Sequence, residues 1–154
     1  MKLRLKDIRE NLDLTQKQMA EILHISNSYY NYFETGERII TIHYLNEFCN
    51  FGHYSFDYVL GLSNYNIVSK EKYQIDKKLI GQRIKLIRKE KGLTQEDLAS
   101  ILNTSQSTIS AYESGKTLIL TAFLYELASK LDVSADFLVG RSNTKKIILP
   151  ELDS

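Results

Sequence analysis

The strongest constraint on this chain is an internal repeat. Residues 4–63 lie over residues 83–142 at a fixed offset of 79 with no gap. Identical pairs recur along the whole overlap. Among them are Arg4/Arg83, Lys6/Lys85, Ile8/Ile87, Arg9/Arg88, Leu14/Leu93, Thr15/Thr94, Gln16/Gln95, Ala20/Ala99, Ser26/Ser105, Glu34/Glu113, Gly36/Gly115, Leu45/Leu124, Asp57/Asp136 and Gly61/Gly140. Self-similarity at a fixed period means that one supersecondary unit is built twice. About 60 residues suffice for five short helices around one small core.

The periodicity inside each unit is helical. In the first, Leu5, Ile8 and Leu12 line a helix expected to end near Asp13, and Thr15 with Gln18 forms a capping box ahead of Met19, Ala20, Ile22 and Leu23. His24 takes a turn position, and Ser26 caps a third helix with Tyr30 and Phe33 inward and Asn27, Ser28, Asn31 and Tyr32 outward. A fourth helix at roughly 42–51 and a fifth at roughly 55–60 end at Gly61. In the second unit, Ile80, Ile84 and Ile87 form the first stripe, which Gly92 stops, and Thr94 with Asp97 caps the second helix. Asn103 suits a left-handed turn, and Ser105 opens a helix that stops at Gly115. That helix turns Ile109 and Tyr112 inward and Ser107, Ser110, Ala111 and Ser114 outward. A face meant only for water would carry Lys and Glu; short side chains suit a helix that lies against another surface, such as the major groove.

The run Thr94-Gln95, Leu98-Ala99, Ser105, Ile109-Ser110, Tyr112-Glu113-Ser114-Gly115-Lys116, Leu127-Ala128, Val133-Ser134, Asp136-Phe137-Leu138 and Gly140 resembles the lambda-repressor-like, Xre-type helix-turn-helix family. The resemblance implies an all-α chain of two tandem five-helix domains, at residues 1–63 and 79–142, with a linker at 64–78 and a tail at 143–154. It further implies double-stranded DNA as partner, Gln95 as a phosphate contact and homodimerisation on a palindrome. Direct repeats in one chain leave a covalent head-to-tail pair as the alternative. Gln106 has a carboxamide able to pair with adenine N6 and N7, Ser107, Ser110 and Ala111 line the same face, and Lys116 is placed for a flanking phosphate. In the first unit the corresponding expectations are Gln16 on phosphate and Asn27 and Asn31 on bases, with Ser28 beside them. Tyr32, standing where Ala111 stands, suits either a thymine methyl or a protein interface. The resemblance also pairs Arg9 with Glu34 and Arg88 with Glu113, locking the first helix of each unit to its recognition helix.

Net charge is only +1, so whole-chain electrostatics do not argue for nucleic acid, but its distribution does. Lys plus Arg against Asp plus Glu is 6 to 8 over residues 1–63, 4 to 2 over 64–78 and 8 to 7 over 79–142, making the second unit with the linker the better grip on phosphate. The linker's reach, if it is flexible, is roughly 20 Å, and Ser69 alternatively caps an upstream extension of the next helix. The lone Cys49 excludes an internal disulfide, and Cys49, His43 and His53 match no zinc spacing, so no metal or cofactor is expected. Apolar runs such as Ile147-Ile148-Leu149 are too short to span a bilayer, which makes a cytoplasmic location the expectation. No nucleophile or acid–base constellation suggests an enzyme, and the sequence names no small-molecule effector. The leading reading is a sequence-specific transcriptional regulator, expected to be a repressor. The alternative is an antitoxin-like or adaptor module that binds protein through the same fold.

Overall fold

The computed structural model describes residues 1–150, and the end of the tail, 151–154, lies outside them. Among the described residues all regular structure is helical. The chain divides into two compact units, Met1–Lys72 and Tyr73–Ser154. The first holds α1 (Leu5–Asn11), α2 (Gln16–Ile22), α3 (Asn27–Thr35), α4 (Ile42–Gly52) and α5 (Phe56–Val59). The second repeats them as α6 (Lys77–Glu90), α7 (Gln95–Ile101), α8 (Gln106–Glu113), α9 (Thr121–Leu131) and α10 (Ala135–Leu138).

Local chemistry sets these boundaries. Thr15 and Thr94 each accept the backbone N–H three residues on, while Gln18 and Asp97 bond back to them, closing both capping boxes. Ser26 and Ser105 cap α3 and α8. The turn between second and third helix is left-handed in both units, at His24 (φ 58°) and Asn103 (φ 54°). It is sealed by bonds from the Ile25 and Thr104 amides to the Ala20 and Ala99 carbonyls.

Each unit folds around its own core. Leu5, Ile8, Met19, Tyr30, Leu45, Phe48 and Phe56 fill the first, and Ile80, Ile84, Leu98, Ile109, Leu124, Leu127 and Leu138 the second. Cys49 is buried in the first core. An arginine near the start of each unit ties its beginning to its end. Arg4 donates to the Tyr58 and Ser63 carbonyls and to Asn64 Oδ1, with its guanidinium 4.5 Å from the Tyr58 ring centre. Arg83 does the same with Phe137, Ser142 and Asn143.

The linker expectation changes in two ways. Residues beyond 63 hold to the first unit through Asn66, which accepts from the Ser55 amide and donates to the His53 carbonyl. The next helix starts at Lys77, capped by Asp76 rather than by Ser69. The apolar stripe thus begins inside α6, whose 14 residues exceed the 7 of α1. The start of the tail returns to the second unit: the Ser134 amide donates to the Lys145 carbonyl, and Lys145 pairs with Glu90. Ile148 and Leu149 remain exposed.

The added N-terminal residues of α6, about two turns, pass the C-terminal end of α8 closely, and Gly81 makes this possible. A Cβ at Gly81 would lie 2.3 Å from the Tyr112 carbonyl oxygen. Gly81→Ala is therefore expected to destabilise the second unit by about 1–3 kcal/mol through overpacking. The chemically identical change at Gly36, where a Cβ meets nothing within 4 Å, costs only the strain of its positive φ, about 1–2 kcal/mol. An unchanged melting temperature together with unchanged amide exchange in α8 for Gly81→Ala would contradict this.

Candidate nucleic-acid interface

In each unit the third helix is placed by a buried ion pair. Arg88 Nε and Nη2 donate to Glu113 Oε2 and Oε1 at 2.6 and 2.9 Å, and Arg9 reaches Glu34 in the same fork at 2.7 and 3.0 Å. The remaining Nη1 donates to the Leu93 or Leu14 carbonyl at 2.8 Å, just ahead of the capping threonine. The first helix, the entry to the second and the recognition helix are thereby held at one point. Both carboxylate side chains are only 3% exposed, so each pair is nearly withdrawn from water. Burial pushes the Glu34 carboxyl up, but the Arg9 guanidinium, the nearby Tyr30 hydroxyl and the Gln16 amide together outweigh it and hold it below the ordinary carboxylate value. The Tyr30 hydroxyl is buried beside the pair with no hydrogen-bond partner of good geometry, and burial, with Glu34 close by, drives its pKa far above the ordinary phenol value.

From each carboxylate a chain of side-chain bonds runs outward. In the second unit Gln95 Nε2 donates to Glu113 Oε1 at 3.3 Å, and Gln95 Oε1 accepts from Gln106 Nε2 at 2.8 Å. One N–H of Gln95 and the Oε1 of Gln106 are left over by these bonds. In the first unit Gln16 Nε2 donates both to Glu34 Oε1 at 3.3 Å and to Asn31 Oδ1 at 2.9 Å. The relay there runs to Asn31 rather than to Asn27, and both N–H groups of Gln16 are engaged.

The outward faces differ more than the frames behind them. On α8, Gln106 and Ser107 are exposed, and Ser110 and Ala111 are half-buried. Lys116 is exposed just beyond, Lys77 Nζ reaches its carbonyl at 3.5 Å, and Lys78 lies against Gly115. Three lysines thus gather where α8 ends. On α3, Asn27 and Ser28 are exposed and Asn31 and Tyr32 half-buried. Glu37 stands where Lys116 stands. Tyr29 packs on Phe33 with ring centres 4.7 Å apart, and Arg38 spans Tyr29 and Tyr32 at 5.8 and 5.7 Å.

Sequence reasoning alone does not find the Gln95–Gln106 and Gln16–Asn31 bonds, Lys77 and Lys78 beside α8, or the Arg38 stack. The Arg4 and Arg83 clamps had a signal, since the identity of the repeats runs on to Asn64/Asn143. No helix among the described residues is long and apolar enough to cross a membrane, and among them no His, Cys, Asp and Glu group could hold a metal ion.

The family model described as Helix-turn-helix, HTH_3, matches residues 5–59 and 84–138, once in each unit. The chain belongs to this Xre, lambda-repressor-like helix-turn-helix family of DNA-binding regulators. It is similar to the uncharacterized HTH-type transcriptional regulator y4dJ of Sinorhizobium fredii (strain NBRC 101917 / NGR234), 41% identical over 58 residues that make up 38% of this chain and 75% of that protein. It is also similar to the restriction-modification controller protein C.AhdI from Aeromonas hydrophila, at 32% identity, covering 41% of this chain and 96% of that one with a TM-score of 0.39. SinR from Bacillus subtilis, a master regulator for biofilm formation solved in complex with DNA, is 40% identical over 38% of this chain and 95% of that one, with a TM-score of 0.37.

Breaking one side of a pair this buried strands the other charge, so Glu113→Ala and Arg88→Ala should each cost about 3–5 kcal/mol. The double mutant should show coupling well above the value of about 1 kcal/mol or less found for exposed pairs. Coupling near zero in melts of the two single mutants and the double mutant would show that the pair contributes nothing as a pair. Glu34 adds a pH signature. Its folded-state pKa lies below that of the unfolded chain, so its stabilisation is complete above the ordinary carboxylate pKa and is lost as pH falls through the lowered value. The stability gap between the natural protein and Glu34→Gln should therefore shrink on acidification below about pH 4.3. A gap that held constant to pH 2 would contradict the shift.

Proposed function

We propose that this protein is a sequence-specific regulator of transcription that binds double-stranded DNA, with α8 seated in the major groove and the second unit supplying most of the affinity. The observation that carries this reading is the combination on α8 of a small outward face, a Gln106 amide held in place by Gln95, and lysines gathered at the helix end. Gln106 reads a base, with Ser107, Ser110 and Ala111 against the groove wall. Gln95 gives its remaining N–H to a phosphate, and Lys116 neutralises a flanking one. In the first unit Asn27, Ser28, Asn31 and Tyr32 form the corresponding face, while Gln16, with both N–H groups engaged, acts through Asn31. Family membership and the relative named as an HTH-type transcriptional regulator support the same reading. Repression is the mode proposed, because occupancy of a promoter by DNA binding alone accomplishes it.

A second reading, protein binding through the first unit, is favoured by Tyr29, Tyr32 and Arg38 on that face and by Glu37 where the second unit has Lys116. Aromatic residues and arginine are enriched at protein interfaces, and a glutamate beside the groove repels phosphate.

Gln106→Ala is expected to cost about 1–3 kcal/mol at a preferred site and to relax specificity at one base pair. Lys116→Ala should weaken all duplexes alike and lower the salt slope by about one. Equal losses on specific and random DNA for Gln106→Ala, measured in salt titrations, would remove it as a base reader.

Homodimerisation of the full chain is part of the proposal, supported by the exposed Ile148 and Leu149 of the tail. Light scattering on the full chain and on a chain ending at Asn143 is expected to show a dimer weakened by truncation. A strict monomer at high micromolar concentration rules the dimer out, and an unchanged dimer removes the tail from it.

A further inference from the structure

The two units are joined by far less free chain than the length of residues 64–78 implies. On leaving α5 the chain turns back onto the first unit. Asn66 Oδ1 accepts from the Ser55 amide at 2.9 Å, Asn66 Nδ2 donates to the His53 carbonyl at 3.2 Å, and His53 Nδ1 donates to the Ser69 carbonyl at 3.1 Å. The second unit makes the same return with different atoms. There the amide of Ser134, the counterpart of Ser55, donates at 2.8 Å to the carbonyl of Lys145, the counterpart of Asn66. In both halves the departing chain satisfies the amide of the residue that caps the last helix, and in the first half the departing chain is the linker. The far end of the linker is held to the second unit. Tyr73 is half-buried, with its ring centre 4.7 Å from the Arg141 guanidinium, and Arg141 is itself buried beside Asp136 at 3.5 Å. Leu62 stands at the place of Arg141 in the first unit, so this hold is particular to the second. Between the two holds remain Lys70, Glu71 and Lys72, all exposed.

Resting on the DNA-binding function proposed above, taken for both units, we infer that Asn66 and Tyr73 are positioning residues that restrict the protein to one spacing between the two duplex segments its units occupy. The chain from Ser69 to Tyr73 spans at most about 14 Å when fully extended. With the holds intact, Tyr73 lies within that distance of Ser69 in any direction, a range about 28 Å across. Moving a half-site along the same face of the duplex takes one helical turn, about 34–36 Å. Two spacings one turn apart therefore cannot both be bridged by units seated on their half-sites. A wholly free linker over residues 64–78, with a maximum of about 50 Å, would bridge both. Reaching the wrong spacing requires release of the bonds made by Asn66 and His53. At about 0.5–1.5 kcal/mol for each of three bonds, that release weakens binding roughly 10- to 1,000-fold. The linker is thus a specificity element, through its length and not through any contact with a base.

The test is selection of bound duplexes from random sequence by the full chain, followed by affinity measurements on duplexes with the selected spacing and with spacings one turn away. It is repeated with Asn66→Ala and Tyr73→Ala combined, and with a chain carrying about ten Gly and Ser residues between Glu71 and Lys72, which leaves both holds in place. The natural protein is expected to enrich two different motifs at one spacing and to bind roughly 10- to 1,000-fold more weakly when that spacing changes by a turn. The penalty should shrink in the double variant and fall below about fivefold in the insertion chain. Both motifs should keep their sequence throughout, which shows that the units still fold and that only the spacing has relaxed. Should the substitutions unfold a unit, the insertion chain carries the test, since it alters neither hold. Equal binding by the natural protein at spacings one turn apart overturns the inference. So does a single spacing kept by the insertion chain, which would place control of spacing outside the linker. One motif, alone or as an inverted pair, also overturns it, and leaves DNA binding to one unit. Selection of no sequence at all would remove the DNA-binding proposal and this inference with it.

Discussion

Each half of this protein depends on an arginine and a glutamate 25 residues apart that meet in a nearly dry site. Taking two charges out of water costs several kcal/mol per ion, and a pair recovers that only when geometry is good and the remaining donors are used. Here the fork is bidentate, and the spare guanidinium nitrogen binds the carbonyl that precedes the second helix. The pair is therefore a junction of three segments rather than an isolated contact. It fixes where the recognition helix lies, and, because its carboxylate can only accept, it also orients the glutamine and then the amide that face outward.

On this shared frame the two units carry different surfaces. The second has a longer first helix whose added N-terminal residues cross α8 at Gly81 and bring Lys77 and Lys78 to the end of the recognition helix. The first has a shorter α1, an aromatic group of Tyr29, Phe33 and Tyr44, and Arg38 laid over two tyrosines. The helix that is held more closely is also the one with the smaller and more basic approach. Under the proposed function, one half grips DNA and the other adds discrimination or a partner.

Much of the fold was legible because the signals are local or repeated. The Thr15 and Thr94 capping boxes, the turn at His24, the left-handed turn at Asn103, and the inward positions of Tyr30, Ile109 and Tyr112 follow from residue type and helical period. The Arg9–Glu34 and Arg88–Glu113 pairs were legible through the family resemblance and their recurrence at one offset. The start of α6 was harder to see, because Lys77 and Lys78 belong to a stretch with no counterpart in the first unit and an apolar stripe marks a buried face, not a first residue. The hold of Asn66 on the first unit was hidden for the same reason, since a side chain reaching back 11 residues leaves no periodic trace.

The sequence by itself determined the duplication, the five-helix plan of each unit, the two capping boxes and the turns, and which residues of α3 and α8 face outward. These rest on short-range chemistry and on periodicity, both written along the chain. Only the tertiary structure decided that Gln95 holds Gln106 while Gln16 holds Asn31, that Gly81 lets α6 touch the α8 carbonyls, and that Arg38 lies over Tyr29 and Tyr32. The reason is that an asparagine or glutamine has both a donor and an acceptor end, and its identity does not say which end points where. That orientation is set by the nearest group able to bond in only one sense, here a carboxylate that folding brings in from another helix.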